Sequence, residues 1–526
     1  MRARLIDSLQ NLYPDCDAAR LPVVRAAVDV ARGGTIAVHF LVNDVPAGGR
    51  VRAAVTTAGG RAVRAARWFQ LLDVPVEENT GLHIFTEKAG EVNPYVVRRA
   101  PFRTYDAVAP VAFPLACPGG TLALRLVIPV AADERPGPRR YAVTLSCRQA
   151  TVELGFAAEV HPAVIPAVGR ASLPYTNWYS LALMAERHGL KAWSEEHWRM
   201  IGRYAQMMVH GRQNTFWIPW PDIFSQGPRG VVLNRERLRR IVKVFTAAGM
   251  HFIEGGHVAH RTGGQWESPT FSIVLTNTLA TTPEGNADLA CACTQLMEEI
   301  AQNRWQERWI QHVSDEPTRE NAADYRILTG MVRKHMPGLP ILDATMDASL
   351  AGSVNIWCPQ CQEYQKHREL FEAQRALGDK VWFYTCCCPG GPWLNRLLDE
   401  ELLRPALFGW AAALFRLDGF LHWGLNHYRT DQDPFQKSVV GHGGDNRLPA
   451  GDTHIVYPGA DGPWSSLRLE AQREGFEDYE LLRLLQAKRP ALAAKVLARA
   501  IRGFDDYTKD PAVFRAARRA LLKGLA

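Results

Sequence analysis

Nowhere in the 526-residue chain is there a run approaching the roughly 20 apolar residues that cross a membrane, and the N-terminus, MRARLIDSLQNLYPDCDAARL, lacks the continuous apolar core of a secretion signal. Together with a native-looking Met1, these absences predict a cytoplasmic protein with no membrane partner. A long polar low-complexity tract is missing too. With 47% hydrophobic and 22% charged residues the composition is that of a folded globular protein, which excludes disorder as the organising feature. There is no basic block interleaved with aromatics: 61 Lys and Arg against 54 Asp and Glu leave a formal charge of +7, spread along the chain, so nucleic acid is not an expected partner. Metal motifs are equally scarce. Cys358 and Cys361 form CPQC without a second CxxC at finger spacing, no HExxH occurs, and the adjacent Cys386, Cys387 and Cys388 cannot easily pair with one another. We therefore expect no metal and no cofactor, and buried free thiols in a reducing compartment.

Aromatic residues, by contrast, are plentiful, at 15 Trp, 14 Tyr and 20 Phe. The length predicts two domains. From about residue 21 to 160, short alternating apolar runs (TIAVHFLV, TLALRLVIPV, YAVTLS and TVELGF) are separated by Gly, Pro and polar turns, the pattern of an antiparallel β-sandwich. HPAVIPAVGRAS, with Pro162 and Pro166, reads as a linker, which places a boundary near residue 165 between a sandwich domain (1–165) and a second domain (166–526). Beyond it, short apolar strands alternate with helices. Leu238, Ile241, Val242 and Phe245, closed by Gly249, trace one helix face, and Leu289, Cys293, Leu296 and Ile300 trace another.

Eight strand candidates follow in order: LPYTNW, NTFWIP, HFIEGG, WIQHVS, PILDAT, VNIWCP, KVWFYTC and GFLHWG. Eight βα units over this length predict a (β/α)8 TIM barrel, whose chemistry lies at the C-terminal ends of its strands. Those ends carry Asn177 and Trp178, Trp217 and Trp220, His257 and His260, Asp315 and Glu316, Asp343 and Asp347, Trp357, Tyr384, and His422, Trp423 and Asn426. An aromatic cup with few carboxylates suits the apolar faces and hydroxyls of a carbohydrate, with Trp217 as a candidate stacking surface. Of the two histidines in GGHVAHR, one is expected to bind hydroxyls, with His257 the candidate, and the other to be structural.

HVSDEPTRE holds the pair Asp315 and Glu316. Acidic residues ahead of Pro317 could simply complement the dipole of a following helix. Their place at the end of the fourth strand, in the aromatic cup, favours catalysis. Two neighbours in sequence cannot easily flank a sugar ring as the usual two glycosidase carboxylates do, but they fit the substrate-assisted variant, in which the sugar's 2-acetamido oxygen attacks its own anomeric carbon.

The segments HVSDEP, NIWCPQ, VWFYTC, GFLHWGLNHY, GDTHIVYPG and SLRLEAQREGFEDYELL resemble glycoside hydrolase family 123, the β-N-acetylgalactosaminidases, over roughly residues 300 to 485. The resemblance implies a retaining, exo-acting enzyme that removes terminal β-linked N-acetylgalactosamine. It implies Asp315 as stabiliser of the acetamide-derived intermediate and Glu316 as general acid and base. Tyr384, Trp357 and Trp423 would wall the sugar pocket, and Asn426 would bind hydroxyls. A catalytically silent sugar-binding protein and a glycosidase without acetamide assistance are the alternatives.

Asp343 and Asp347 read more simply as loop caps, and Arg473 with Glu477 as a helical i,i+4 pair. The long segments 259 to 285 and 426 to 458 follow strands three and eight on the active face and are expected to shape the pocket, with Trp266, Tyr428 and Trp464 as either contacts or loop anchors.

Overall fold

In the computed structural model, which describes residues 1–23, 27–228 and 230–526, the alternating segments of the N-terminal region form two facing sheets. Residues 24–26 of the expected sandwich lie outside the described residues. TIAVHFLV and TLALRLVIPV pair antiparallel within Thr35–Val45 and Gly120–Pro129, with Val38 opposite Leu126 and Phe40 opposite Leu124. Because side chains alternate across a strand, Val38, Phe40, Val42, Leu122, Leu124 and Leu126 share one face, and they bury it against Val51, Val55, Val143 and Leu145 of the second sheet. Each such residue contributes about 1.5–3 kcal/mol on burial.

Two features depart from a simple N-terminal antiparallel sandwich. Strand Ala150–Val164 runs parallel to Val28–Arg32 and continues through Pro162, so the expected linker begins later than its first proline. Tyr457–Gly459 and Gly462–Ser466, from the far end of the chain, join the first sheet beside Phe102–Pro110, with Ser465 opposite Val108 and Ser466 opposite Ala107.

Strands stand at all eight expected positions: one, Tyr175–Asn177; two, Thr215–Ile218; three, Phe252–Gly255; four, Trp309–Gln311; five, Leu342–Asp343; six, Ile356–Trp357; seven, Lys380–Tyr384; eight, Gly419–His422. They form two curled, wholly parallel sheets, one in the order one-eight-seven-six-five and the other two-three-four. A bridge from Gln311 to Ile341 links strand four to the approach of strand five. On the opposite side the Asn214 N–H donates to the Tyr175 carbonyl at 3.3 Å and the Gln213 amide to the Asn177 carbonyl at 3.2 Å. Apolar side chains of strands four to eight, including Ile310, Leu342, Ile356, Trp382, Tyr384 and Leu421, fill the interior of the curl.

The surrounding helices follow their periodicities. Arg235–Ala248 buries Leu238, Ile241, Val242 and Phe245, starts at the Asn234 cap and stops at Gly249, whose φ of +116° is open to glycine. Pro283–Gln302 buries Leu289, Cys293, Leu296 and Ile300. Arg404–Phe415 and Leu467–Lys488 cross with their backbones nearly touching, since a Cβ on Gly475 would lie 2.1 Å from the Ala406 carbonyl oxygen, and one on Gly409 would lie 1.9 Å from that of Gly475. Within the second helix Arg473 pairs with Glu477 at 2.9 Å, the i,i+4 pairing its spacing predicts.

Candidate active site

The chain leaves strand four through His312, Val313 and Ser314, all buried, and surfaces at Asp315, which is exposed, and Glu316, which is half-buried. Glu316 holds φ at +44°, the left-handed region a non-glycine residue rarely adopts. Two hydrogen bonds hold that bend, because the Arg261 guanidinium donates to the backbone carbonyls of both Asp315 and Glu316. Arg261 is itself positioned over the Trp266 ring, 4.0 Å from its centroid, on a hairpin of Ala259–Arg261 and Phe271–Ile273. The long segment after strand three thus delivers a clamp to the pair. The next helix does not begin at Asp315. It begins at Ala322, behind a 3-10 turn at Arg319–Asn321 whose Asn321 side chain accepts from the Thr318 N–H at 2.8 Å. The pair therefore stands too far upstream to act as its acidic first turn.

Asp315 is reached by water yet hemmed in by protein, and this burial raises its pKa above the usual carboxylate range, with Arg261 and His312 pulling the other way. Burial, and then the neighbouring Asp315 charge, push Glu316 up to about 7. The Tyr384 phenol donates to Glu316 Oε1 and opposes that rise, and Gln360 donates to the same phenol oxygen at 3.0 Å. A cleft of about 340 Å³ lined by Pro317, Met346, Asp347 and His367 adjoins the pair.

Beneath the pair lies a network that sequence reading missed. His312, fully buried, is held between two buried carboxylates, Nε2 to Glu254 at 2.6 Å and Nδ1 to Asp343 at 2.8 Å. Burial alone would lower its pKa, but the two carboxylates outweigh that and push it up to about 9, so the ring is an imidazolium at neutral pH. Asp343 also accepts from the Val313 N–H and the Tyr325 hydroxyl; Glu254 accepts from the Thr176 hydroxyl and, at 2.9 Å, from Trp178 Nε1. The available signal was Glu254 itself, a carboxylate inside the apolar strand HFIEGG, where an unpaired charge is too costly to bury. Asp343 is thus a partner of His312, whereas Asp347 does cap its turn, accepting from the Ser349 N–H at 2.8 Å.

Trp217 and His257 gather around this network. Trp217 stacks on Trp178 with centroids 4.6 Å apart, and His257 stands edge-on to Trp178, Trp217 and His312 at 5.0–5.2 Å. The buried His257 Nε2 has no hydrogen-bond partner among the described residues, and burial pushes its pKa down to about 3, leaving a neutral ring. Its neighbour His260 meets Asn277 at 3.2 Å. Trp423, half-buried, donates from Nε1 to Asp452 Oδ1 at 3.1 Å; Asp452 Oδ2 is buried without a partner among the described residues, and burial pushes that carboxyl up to about 7.

Two expected pocket residues stand elsewhere. Ile356 and Cys358 face the interior, so the residue between them, Trp357, points outward, where it packs edge-on against Phe371 and donates to Asp379 at 2.9 Å. Asn426 is fully buried, its amide exchanging hydrogen bonds with the Ser180 backbone at 2.9 and 3.1 Å. It ties two loops together. Tyr428 likewise anchors its loop, donating to the Val456 carbonyl at 2.6 Å, and Trp464 packs on Phe435, while Trp266 stays exposed at the rim.

Among the described residues, two groups of three could offer ligand atoms to a metal ion: His257 with His312 and Asp343, and Cys386 with Cys387 and Cys388. The first does not suit a metal, since both His312 nitrogens already face carboxylates. Cys358 and Cys361 point apart, one to the strand interior and one to the helical core.

No curated protein matches the chain. Its fold is similar to that of a family 123 glycoside hydrolase from Clostridium perfringens described for glycolipid glycan hydrolysis, at 11% identity and a TM-score of 0.74, covering 100% of this chain and 96% of that one. A β-D-glucuronidase of Dictyoglomus thermophilum (10% identity, TM-score 0.37, 84% of this chain and 66% of that one) and an endo-β-1,4-mannanase of Thermotoga petrophila (10%, 0.37, 60% and 77%) are more distant likenesses. Residues 262–485 match the family described as glycoside hydrolase 123, catalytic domain, a span that contains Asp315, Glu316 and Tyr384 but not Trp217, Glu254, His257 or Arg261. The catalytic-domain match over that span, together with the shared fold, supports a glycosidase.

Proposed function

We propose that the protein is an exo-acting, retaining glycoside hydrolase that releases terminal β-linked N-acetylgalactosamine, with the sugar's 2-acetamido group as nucleophile. The observation that carries this reading is the adjacent pair in which Glu316, pushed up to about 7, stands beside the more exposed Asp315. A carboxyl poised near neutrality can give a proton to the leaving oxygen and later take one from water. Asp315, as a carboxylate, orients the acetamide N–H and stabilises the positive charge of the oxazolinium-like intermediate. Trp217, Tyr384 and Trp423 present ring faces and edges to the sugar, and His257 Nε2, unpartnered, offers an acceptor to a hydroxyl.

In this reading the two half-barrels act as one (β/α)8 barrel with its mouth at the C-terminal strand ends, and residues 1–165 form a sandwich domain that supports the catalytic 166–526. The test is a panel of aryl β-glycosides of N-acetylgalactosamine, N-acetylglucosamine, galactose and glucose, with a thiazoline analogue of the intermediate as inhibitor. Turnover confined to the acetamido sugars, fastest on the galacto configuration and blocked by the thiazoline, is the expected outcome. Comparable turnover of the plain galactoside would rule out acetamide assistance, and calorimetric binding of N-acetylgalactosamine without turnover of any substrate would mark a silent binding protein.

A further inference from the structure

We propose that Cys386, Cys387 and Cys388 form a binding site for one thiophilic d10 cation, of the class of Cd2+, Zn2+ or Cu+, at the end of strand seven. Their three sulfurs lie within 4.8 Å of one another, with Cys386 Sγ 3.3 Å from Cys388 Sγ and 3.9 Å from Cys387 Sγ. A trigonal ion with metal–sulfur bonds of about 2.3 Å needs sulfurs about 4.0 Å apart. The two Cys386 spacings lie within 0.7 Å below that value and the third is no more than 4.8 Å, so the thiols close on an ion with sub-ångström shifts.

The turn that presents them is held from several sides. Cys386 N–H donates to the Cys388 carbonyl at 2.8 Å, Asn395 donates to the carbonyls of Cys386 and Pro389, and the Phe85 N–H donates to the Cys387 carbonyl at 3.1 Å. Gly390 lies so close to the N-terminal region that a Cβ there would stand 2.0 Å from the Gly81 carbonyl oxygen. Among the described residues, each of the three sulfurs has only another of the three as hydrogen-bond partner, whereas Cys361 Sγ donates to the Leu394 carbonyl at 3.5 Å. Adjacent cysteines make a poor disulfide, but as neutral thiols they carry unused ligand capacity, and soft sulfur selects soft cations. Cys386 and Cys387 are half-buried, so an ion can enter from solvent. On binding, three S–H bonds break, three metal–sulfur bonds form and three protons leave to solvent, with no change in oxidation state.

The experiment is titration of the full-length, reduced chain with Cd2+ in a non-thiol reductant. One equivalent should produce a sulfur-to-metal charge-transfer absorption, release protons, and protect Cys386, Cys387 and Cys388 from alkylation while Cys16 and Cys291 stay reactive. Cys386→Ser and Cys388→Ser should each abolish the absorption, and Cys16→Ser should leave it intact. If those variants fail to fold, the alkylation map of the parent protein decides. Unprotected Cys386–Cys388 at saturating Cd2+, or an absorption that persists in both the Cys386→Ser and Cys388→Ser variants, would overturn the site. None of these readouts depends on glycosidase activity.

Discussion

Glu316 is kept from ionising at its ordinary pH by burial and by the charge beside it, while burial raises Asp315 as well, against the opposing pull of Arg261 and His312. Their titrations belong to the pair, so under the proposed mechanism the pH–rate profile is expected to be a bell whose alkaline limb falls near pH 7, as Glu316 loses the proton it would donate, and whose acidic limb reports protonation of Asp315. Glu316→Gln should lower kcat by about 10²–10⁴-fold on a poor leaving group and by less on an activated aryl glycoside. Because the Tyr384 hydroxyl opposes the rise at Glu316, Tyr384→Phe should move the alkaline limb upward, and an unmoved limb would remove Tyr384 from the electrostatics of the acid. The same shift has a stability consequence. A carboxyl raised to about 7 in the native state binds its proton more tightly there than in the unfolded chain, so stability falls as pH rises from the ordinary carboxylate range through 7. Thermal unfolding at pH 8 should therefore show Glu316→Gln more stable than the parent, with the difference vanishing near pH 4. The pair was legible as HVSDEP; the His312 network was not, because Glu254 and Asp343 come from strands distant in sequence.

At the scale of elements, periodicity carried far. Both helix faces traced by apolar spacing are buried as traced, and strands stand at all eight expected segments. Facing was harder, since a strand two residues long cannot say which of its neighbours points inward, and at Trp357 the alternation resolved outward. Nor does spacing reveal how closely two helices approach. Gly475, in the motif EAQREGFEDY, meets the Ala406 carbonyl across the crossing of Arg404–Phe415 and Leu467–Lys488, where neither backbone can yield without moving a whole helix. Gly475→Ala should destabilise by about 1–3 kcal/mol or more, read as a lowered urea midpoint, despite the better helix propensity of alanine. A neutral or stabilising result would mean that the helices can separate at no cost.

Across the whole molecule, the two ends of the chain are locked together. Arg468, at the start of the long helix, pairs with Asp106 of the sandwich at 2.9 Å with both side chains almost fully buried, and Arg515 pairs with Asp7 at 2.9 Å. Asp106→Ala leaves a buried guanidinium with only carbonyl partners and should cost about 3–5 kcal/mol in equilibrium unfolding, an effect of the kind expected within a core and not across a flexible linker. A change below 1 kcal/mol would indicate two independent folding units. The sequence by itself determined the local elements, the order of β-rich and βα regions, and the adjacency of Asp315 and Glu316, because propensity, periodicity and covalent neighbourhood act over a few residues. Only the tertiary structure decided that strands from residues 457–466 complete the N-terminal sheet, that Arg261 bends the backbone of the pair, and that a buried imidazolium lies beneath it. Each of these rests on through-space contact and on desolvation, which depend on what surrounds a residue and not on what precedes it.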